Sequence, residues 1–203
     1  MAASRLAVVL AVLVLAGGCG GETESPADAY KDFARAAAER DSDRVWELLS
    51  ERNRRAASRS VFQGAAPKLA DDYKPVAGGD VVLEAELNDR TSVVALRGES
   101  GRLSAIGAIL RKEAEGWKVQ LSELDLNFGS RPLDFTVNVS GDARIEVRGW
   151  VDGRGAPVQA GERTYAPIFS VGVPEELPSG THTATVWVRV GEKTGALAWP
   201  FEQ

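Results

Sequence analysis

Residues Asp80–Arg97 read DVVLEAELNDRTSVVALR. Val81, Leu83, Ala85 and Leu87 alternate with polar or smaller residues, the period of a strand with one apolar face. Asn88-Asp89 then supplies turn chemistry, and Thr91–Arg97 reads as a second strand returning beside the first. This stretch marks the place where the chain changes from a helical period to a period of two, so it divides helices on its N-terminal side from a sheet on its C-terminal side.

Upstream, Ser25 can cap a helix, Pro26 suits the first helical position, and Asp28 stands where a capping box needs an acceptor. Tyr30, Phe33, Ala34 and Ala37 follow at helical spacing and give one apolar stripe. A second cap, Asp41 or Ser42, opens a helix with Val45, Trp46, Leu48 and Leu49 inward. A third, weaker helical stretch runs from Glu51 to Phe62 and ends at Gly64. Pro67 opens a short helix that Asp71-Asp72 closes at the surface. Downstream, Leu103–Lys112 and Trp117–Leu124 flank the turn Glu113-Ala114-Glu115-Gly116, with Trp117, Val119 and Leu121 facing one way.

Helices followed by an antiparallel meander predict an α+β domain over residues 26–126, with the helices on one face of a curved sheet. Tyr30-Lys31-Asp32-Phe33, the Glu39-Arg40-Asp41 exit into Val45-Trp46-Glu47-Leu48-Leu49, and Glu115-Gly116-Trp117-Lys118-Val119 occur in the order seen in the nuclear transport factor two-like family. The chain resembles its small bacterial envelope members. The resemblance implies a cone-like fold. In enzymes built on that cone, a carboxylate or His inside the cavity acts as base beside a Tyr or Asp donor, which makes Asp71, Asp72, Tyr73 and Tyr30 the candidate ligand-binding residues. Related cones also occur as accessory domains ahead of cell-wall transpeptidases.

Beyond Asn127-Phe128-Gly129-Ser130-Arg131-Pro132 the helical period disappears. Alternating segments at Phe135–Val139, Ala143–Val151, Tyr165–Val173, Thr181–Val190 and Ala196–Phe201 are separated by turn residues, which predicts a small all-β sandwich over residues 127–203. Leu177–Val186 resembles the late strand of immunoglobulin-like and fibronectin-like domains, where a ring at the position of His182 closes a corner and a buried residue follows at Ala184. His stands for the usual Tyr and Ala for the usual Cys. Thr183, Thr185 and Trp187 fall on the opposite face of that strand, so Trp187 is expected to pack on the neighbouring domain. Trp46 and Trp117 suit the first core, and Trp150 the second.

The N-terminus gives an address. Arg5 is a positive n-region, Leu6–Leu15 an apolar run, and Ala16-Gly17-Gly18 the small residues of a cleavage site, which together read as a secretion signal over residues 1–18. The apolar run falls short of the ~20 residues a membrane-spanning helix needs. LAGGC resembles the bacterial lipobox, with Ala16 where Leu is usual. That resemblance implies that Cys19, the only cysteine, receives a diacylglycerol and becomes the mature N-terminus, with 19–25 as its tether. The expected location is the outer face of the bacterial cytoplasmic membrane, held there by membrane lipid.

With 24 basic against 29 acidic residues and a net charge of −5, the chain lacks the basic surface of a nucleic-acid binder. No Cys/His set spells a metal site, no cofactor motif is present, and no nucleophile elbow marks a serine. His182, the only histidine, is expected to fix a loop through a hydrogen bond. Arg52, Arg55 and Arg59 share a helical face that Glu47 and Glu51 offset, and Asn138-Val139-Ser140 matches a glycosylation sequon by spelling alone. The residues therefore point to a non-enzymatic binding or scaffolding module that meets an envelope protein or cell-wall material. The alternative is small apolar ligand binding, or isomerase/dehydratase-type catalysis, in the cone.

Overall fold

A computed structural model describes residues 24–98, 104–129, 131–139, 143–161 and 166–203. Cys19, the secretion signal, most of the tether, Leu103, Ser140 and Tyr165 lie outside the described residues. The fold is mixed α+β, and the described residues form four helices and twelve antiparallel strands in three sheets.

Helix α1 (Pro26–Ala38) opens with the expected capping box: the Ser25 hydroxyl accepts the Asp28 N–H at 3.1 Å, and the Asp28 carboxylate accepts the Ser25 N–H at 3.4 Å. Asp41 caps α2 (Ser42–Leu48) by accepting the Arg44 N–H at 3.0 Å. The third helical stretch divides. Helix α3 (Glu51–Ala56) is capped by Ser50, the chain extends at Ala57, and Ser58 caps α4 (Arg59–Tyr73). Gly64 and Pro67 lie inside α4 and do not bound it. Both are exposed, as is Gln63, whose carbonyl Pro67 leaves without an N–H to accept and which water can serve. The apolar stripe Phe62, Leu69, Ala70 and Tyr73 carries the helix through these two breakers.

The first sheet has the order β1 (Asp80–Asn88), β2 (Thr91–Arg97), β3 (Ala105–Glu113), β4 (Gly116–Gln120). One face, through Val94, Leu96, Leu110 and Val119, packs on Tyr30, Phe33, Val45 and Leu49 of the helical layer. A register shift between Val81 and Leu83 splits the apolar set of β1. Val81 packs on the helix-side core, whereas Leu83, Ala85 and Leu87 turn to the other face with Val93, Ala95 and Ile109. That other face does not meet water, and β2 is buried from Thr91 to Leu96.

It meets the third sheet, ordered β12 (Lys193–Glu202), β11 (Thr181–Val190), β7 (Ile145–Val151), β8 (Arg154–Ala156). Trp187, Ala196 and Ala198 face the first sheet here, and the expected packing of Trp187 on the neighbouring module is what the structure has. Trp150 also lies in this seam, not in the second core where its sequence position suggested; it alternates with Val151, which faces inward. The far face of the third sheet packs on the second sheet, ordered β5 (Asp125–Phe128), β6 (Asp134–Asn138), β10 (Ile168–Val171), β9 (Val158–Ala160), across a core of Phe135, Val137, Val171, Val186, Trp199 and Phe201. The layers therefore run helices, first sheet, third sheet, second sheet. Burying one large apolar side chain stabilises by about 1.5–3 kcal/mol, so Leu83, Val93, Ile109 and Trp187 give the seam an apolar core of its own, smaller than those on either side.

Candidate functional site

The chain leaves β4 early, and that creates the site. β4 pairs with β3 only from Ile109 to Glu113. The Leu121 N–H donates to Asn53 Oδ1 at 3.0 Å, which draws the chain off the sheet, and among the described residues no strand pairs with Ala105–Gly107 on that side. β12 lies at the edge of the third sheet, and its stretch Ala196–Pro200 faces that opening. Between them is a groove of about 470 Å³, within the range of small-ligand sites. Its remaining walls are Phe128 of β5, Ser104, and Asp72 and Tyr73 at the end of α4.

Gly107 lets the two strands come together beside the groove. A Cβ there would stand 3.3 Å from the Leu197 carbonyl carbon and 3.4 Å from the Ala198 nitrogen. Phe128 is 59% exposed, and its ring meets Trp199 edge-on with centroids 5.8 Å apart. Trp199 is fixed by its indole N–H, which donates to the Pro132 carbonyl at 2.7 Å. The connector residues Phe128 and Pro132 thus find their partner in Trp199.

The four residues nominated from the sequence divide between three places. Tyr73 and Asp72 line the groove. Tyr30 lies behind it, fully buried, its hydroxyl 3.3 Å from that of Tyr73 and donating to the Ile106 carbonyl at 3.4 Å. Burial pushes the Tyr30 hydroxyl well above its ordinary pKa, and burial likewise pushes Tyr73 up to about 12. Both stay neutral at physiological pH, acting as hydrogen-bonding and packing groups, with Phe33 edge-on to Tyr73 at 5.3 Å. Asp71 is exposed and outside the groove lining, and Asp72 pairs with exposed Lys68 at 2.9 Å. The space between helices and first sheet is filled by Tyr30, Phe33, Leu96, Leu110 and Val119, and no carboxylate is buried there among the described residues.

His182 does not join this site. Its Nδ1 lies 2.6 Å from Asp152 Oδ2 and its Nε2 lies 2.7 Å from the Pro178 carbonyl. Two acceptors require two N–H donors, so the geometry suits imidazolium. The hydrogen bond to Asp152 raises the His182 pKa despite desolvation. Neither nitrogen is left to serve a nucleophile, and the ring fixes the Pro178 loop as its sequence position suggested. The arginine face is also committed: Arg52 to Glu123, Arg55 to Glu51, Arg59 to Asp43. Among the described residues no group of three or more His, Cys, Asp or Glu could hold a metal ion, and no helix is long and apolar enough to cross a membrane.

Sequence reasoning missed Ala105, Gly107, Ala196 and Ala198, because small apolar residues in a strand carry no signal of an open edge. Phe128 had a signal, an aromatic ring in a connector. No protein-family model, curated protein or solved structure matches the chain.

Proposed function

We propose that this chain is an exported bacterial envelope protein, lipid-anchored through Cys19, that works as a non-enzymatic binding module and takes its ligand in the groove between β3 and β12. On this reading the helical layer with its sheet is a nuclear transport factor two-like cone, and the stacked sheets are an immunoglobulin-like sandwich. The observation that carries the binding reading is the groove itself: an aromatic and aliphatic concavity, walled by both modules, that neither core fills. The apolar run before Ala16-Gly17-Gly18-Cys19 supports the anchor. The helix-side core is packed with aromatic and aliphatic side chains, which favours the groove over the cone interior as the place of binding.

Two measurements test the two parts. A fatty-acid analogue fed to expressing bacteria labels the wild-type chain and not Cys19→Ser; an unlabelled wild type removes the anchor. Titration with the anionic aromatic dye 8-anilinonaphthalene-1-sulfonate, whose rings seek apolar surface, perturbs Trp199 and Ala105–Gly107 resonances, and Phe128→Ala weakens this about tenfold while leaving Tm little changed, because Phe128 is exposed. Dye binding that ignores Phe128 would place the ligand elsewhere.

A further inference from the structure

The geometry points to an extended polypeptide segment as the ligand of the groove, laid along the free half of β3 as an added strand; this rests on the binding reading above. In an antiparallel ladder alternate residues turn their N–H and C=O to opposite sides. The Lys112 N–H donates to the Arg90 carbonyl at 3.0 Å and the Gly98 N–H to the Ser104 carbonyl at 2.8 Å, so even-numbered residues of β3 serve the β2 side. The odd-numbered ones serve β4, which ends opposite Ile109. Ala105 and Gly107 therefore present their N–H and C=O groups to the groove.

The facing edge of β12 has the same character. The Thr194 C=O and N–H, turned away from β11, are taken by the Glu123 N–H at 2.9 Å and the Glu123 carboxylate at 3.3 Å. The same alternation turns the main-chain groups of Ala196 and Ala198 outward, and that of Pro200, which has no N–H to leave unmet. No further backbone partner meets them among the described residues.

These groups decide the ligand class. An acyl chain would fill apolar space and leave the strand's donors and acceptors unpaired, whereas an extended peptide supplies them and reaches its side chains into flanking pockets. Ala105, Gly107 and Ala196 are half-buried and place no large side chain over the main chain, whereas Ala198 lies deeper, against the first sheet. Phe128 offers a surface to one apolar side chain, and Asp72, whose ion pair with Lys68 is exposed, gives the groove wall a carboxylate that complements a basic residue of the peptide.

The test uses the purified chain and three probes: acetyl-Lys-Val-Thr-Val-Thr-Val-amide, the same peptide N-methylated at alternate residues, and palmitate. The unmodified peptide is expected to bind and slow amide exchange at Ala105 and Gly107 about tenfold at saturation, with the N-methylated peptide inactive. Asp72→Lys weakens binding several-fold. Ala105→Pro removes a free donor without breaking a ladder bond and abolishes binding; if that variant does not fold, the N-methylated comparison decides. Equal binding of the N-methylated peptide overturns the strand. Palmitate binding without peptide binding overturns the peptide class and leaves the groove as a ligand site, and binding of none of the three overturns both.

Discussion

At the scale of single residues, His182 couples stability to pH. It is 5% exposed, with Asp152 against Nδ1, Glu202 adding negative charge and Arg97 4.0 Å from Asp152. Its folded pKa lies above the unfolded value of about 6.5, so its stabilisation is complete below that pH and is lost as pH rises through the folded value. Tm is expected to fall between pH 6.5 and 9 in the wild type and to change less over that range in His182→Phe. His182→Phe also leaves Asp152 Oδ2 and the Pro178 carbonyl unpaired, at about 1–3 kcal/mol by denaturant titration at pH 6. Gly107→Val tests the approach of β3 to β12: its Cβ would stand 3.3–3.4 Å from that backbone and carries two further methyls, which force the strands apart for a loss of about 1–3 kcal/mol.

At the scale of elements, the sequence was most legible where local chemistry decides. The Ser25–Asp28 box, the Asn88-Asp89 turn and the full span Thr181–Val190 are read directly from residue types. It was least legible around α4, where Gly64 and Pro67 signal a stop that the buried stripe Phe62, Leu69, Ala70 and Tyr73 overrides by packing. Ser58 is the unread signal there, since it restarts the helix by accepting the Val61 N–H at 3.3 Å. Ser58→Ala is therefore expected to destabilise by about 1 kcal/mol, while Gln63→Ala, one turn in and exposed, changes Tm little. The groove was legible through Asp72 and Tyr73, and through Phe128 as an aromatic ring in a connector. Its strand edges arise where β4 leaves β3, a matter of pairing between distant segments that no local pattern encodes.

At the scale of the whole molecule, the seam between first and third sheets makes two modules behave as one. Trp187, Val93, Ala95 and Ile109 are nearly or fully buried there, and Arg148 and Arg189 stack over the Trp187 ring. Trp187→Ala is expected to lose about 3–5 kcal/mol and to turn one cooperative thermal transition into two, read by calorimetry. A single unchanged transition would mean the modules do not depend on this contact. Because residues on both sides of the seam wall the groove, Trp187→Ala is also expected to weaken the proposed binding.

The most direct test of the account replaces Phe128 with a benzophenone photo-cross-linker in the full chain expressed in bacteria, with Val61, 67% exposed on the helical layer, as the control position. The account predicts a discrete polypeptide adduct from Phe128 and none from Val61. No adduct at either position, or equal adducts at both, would contradict it.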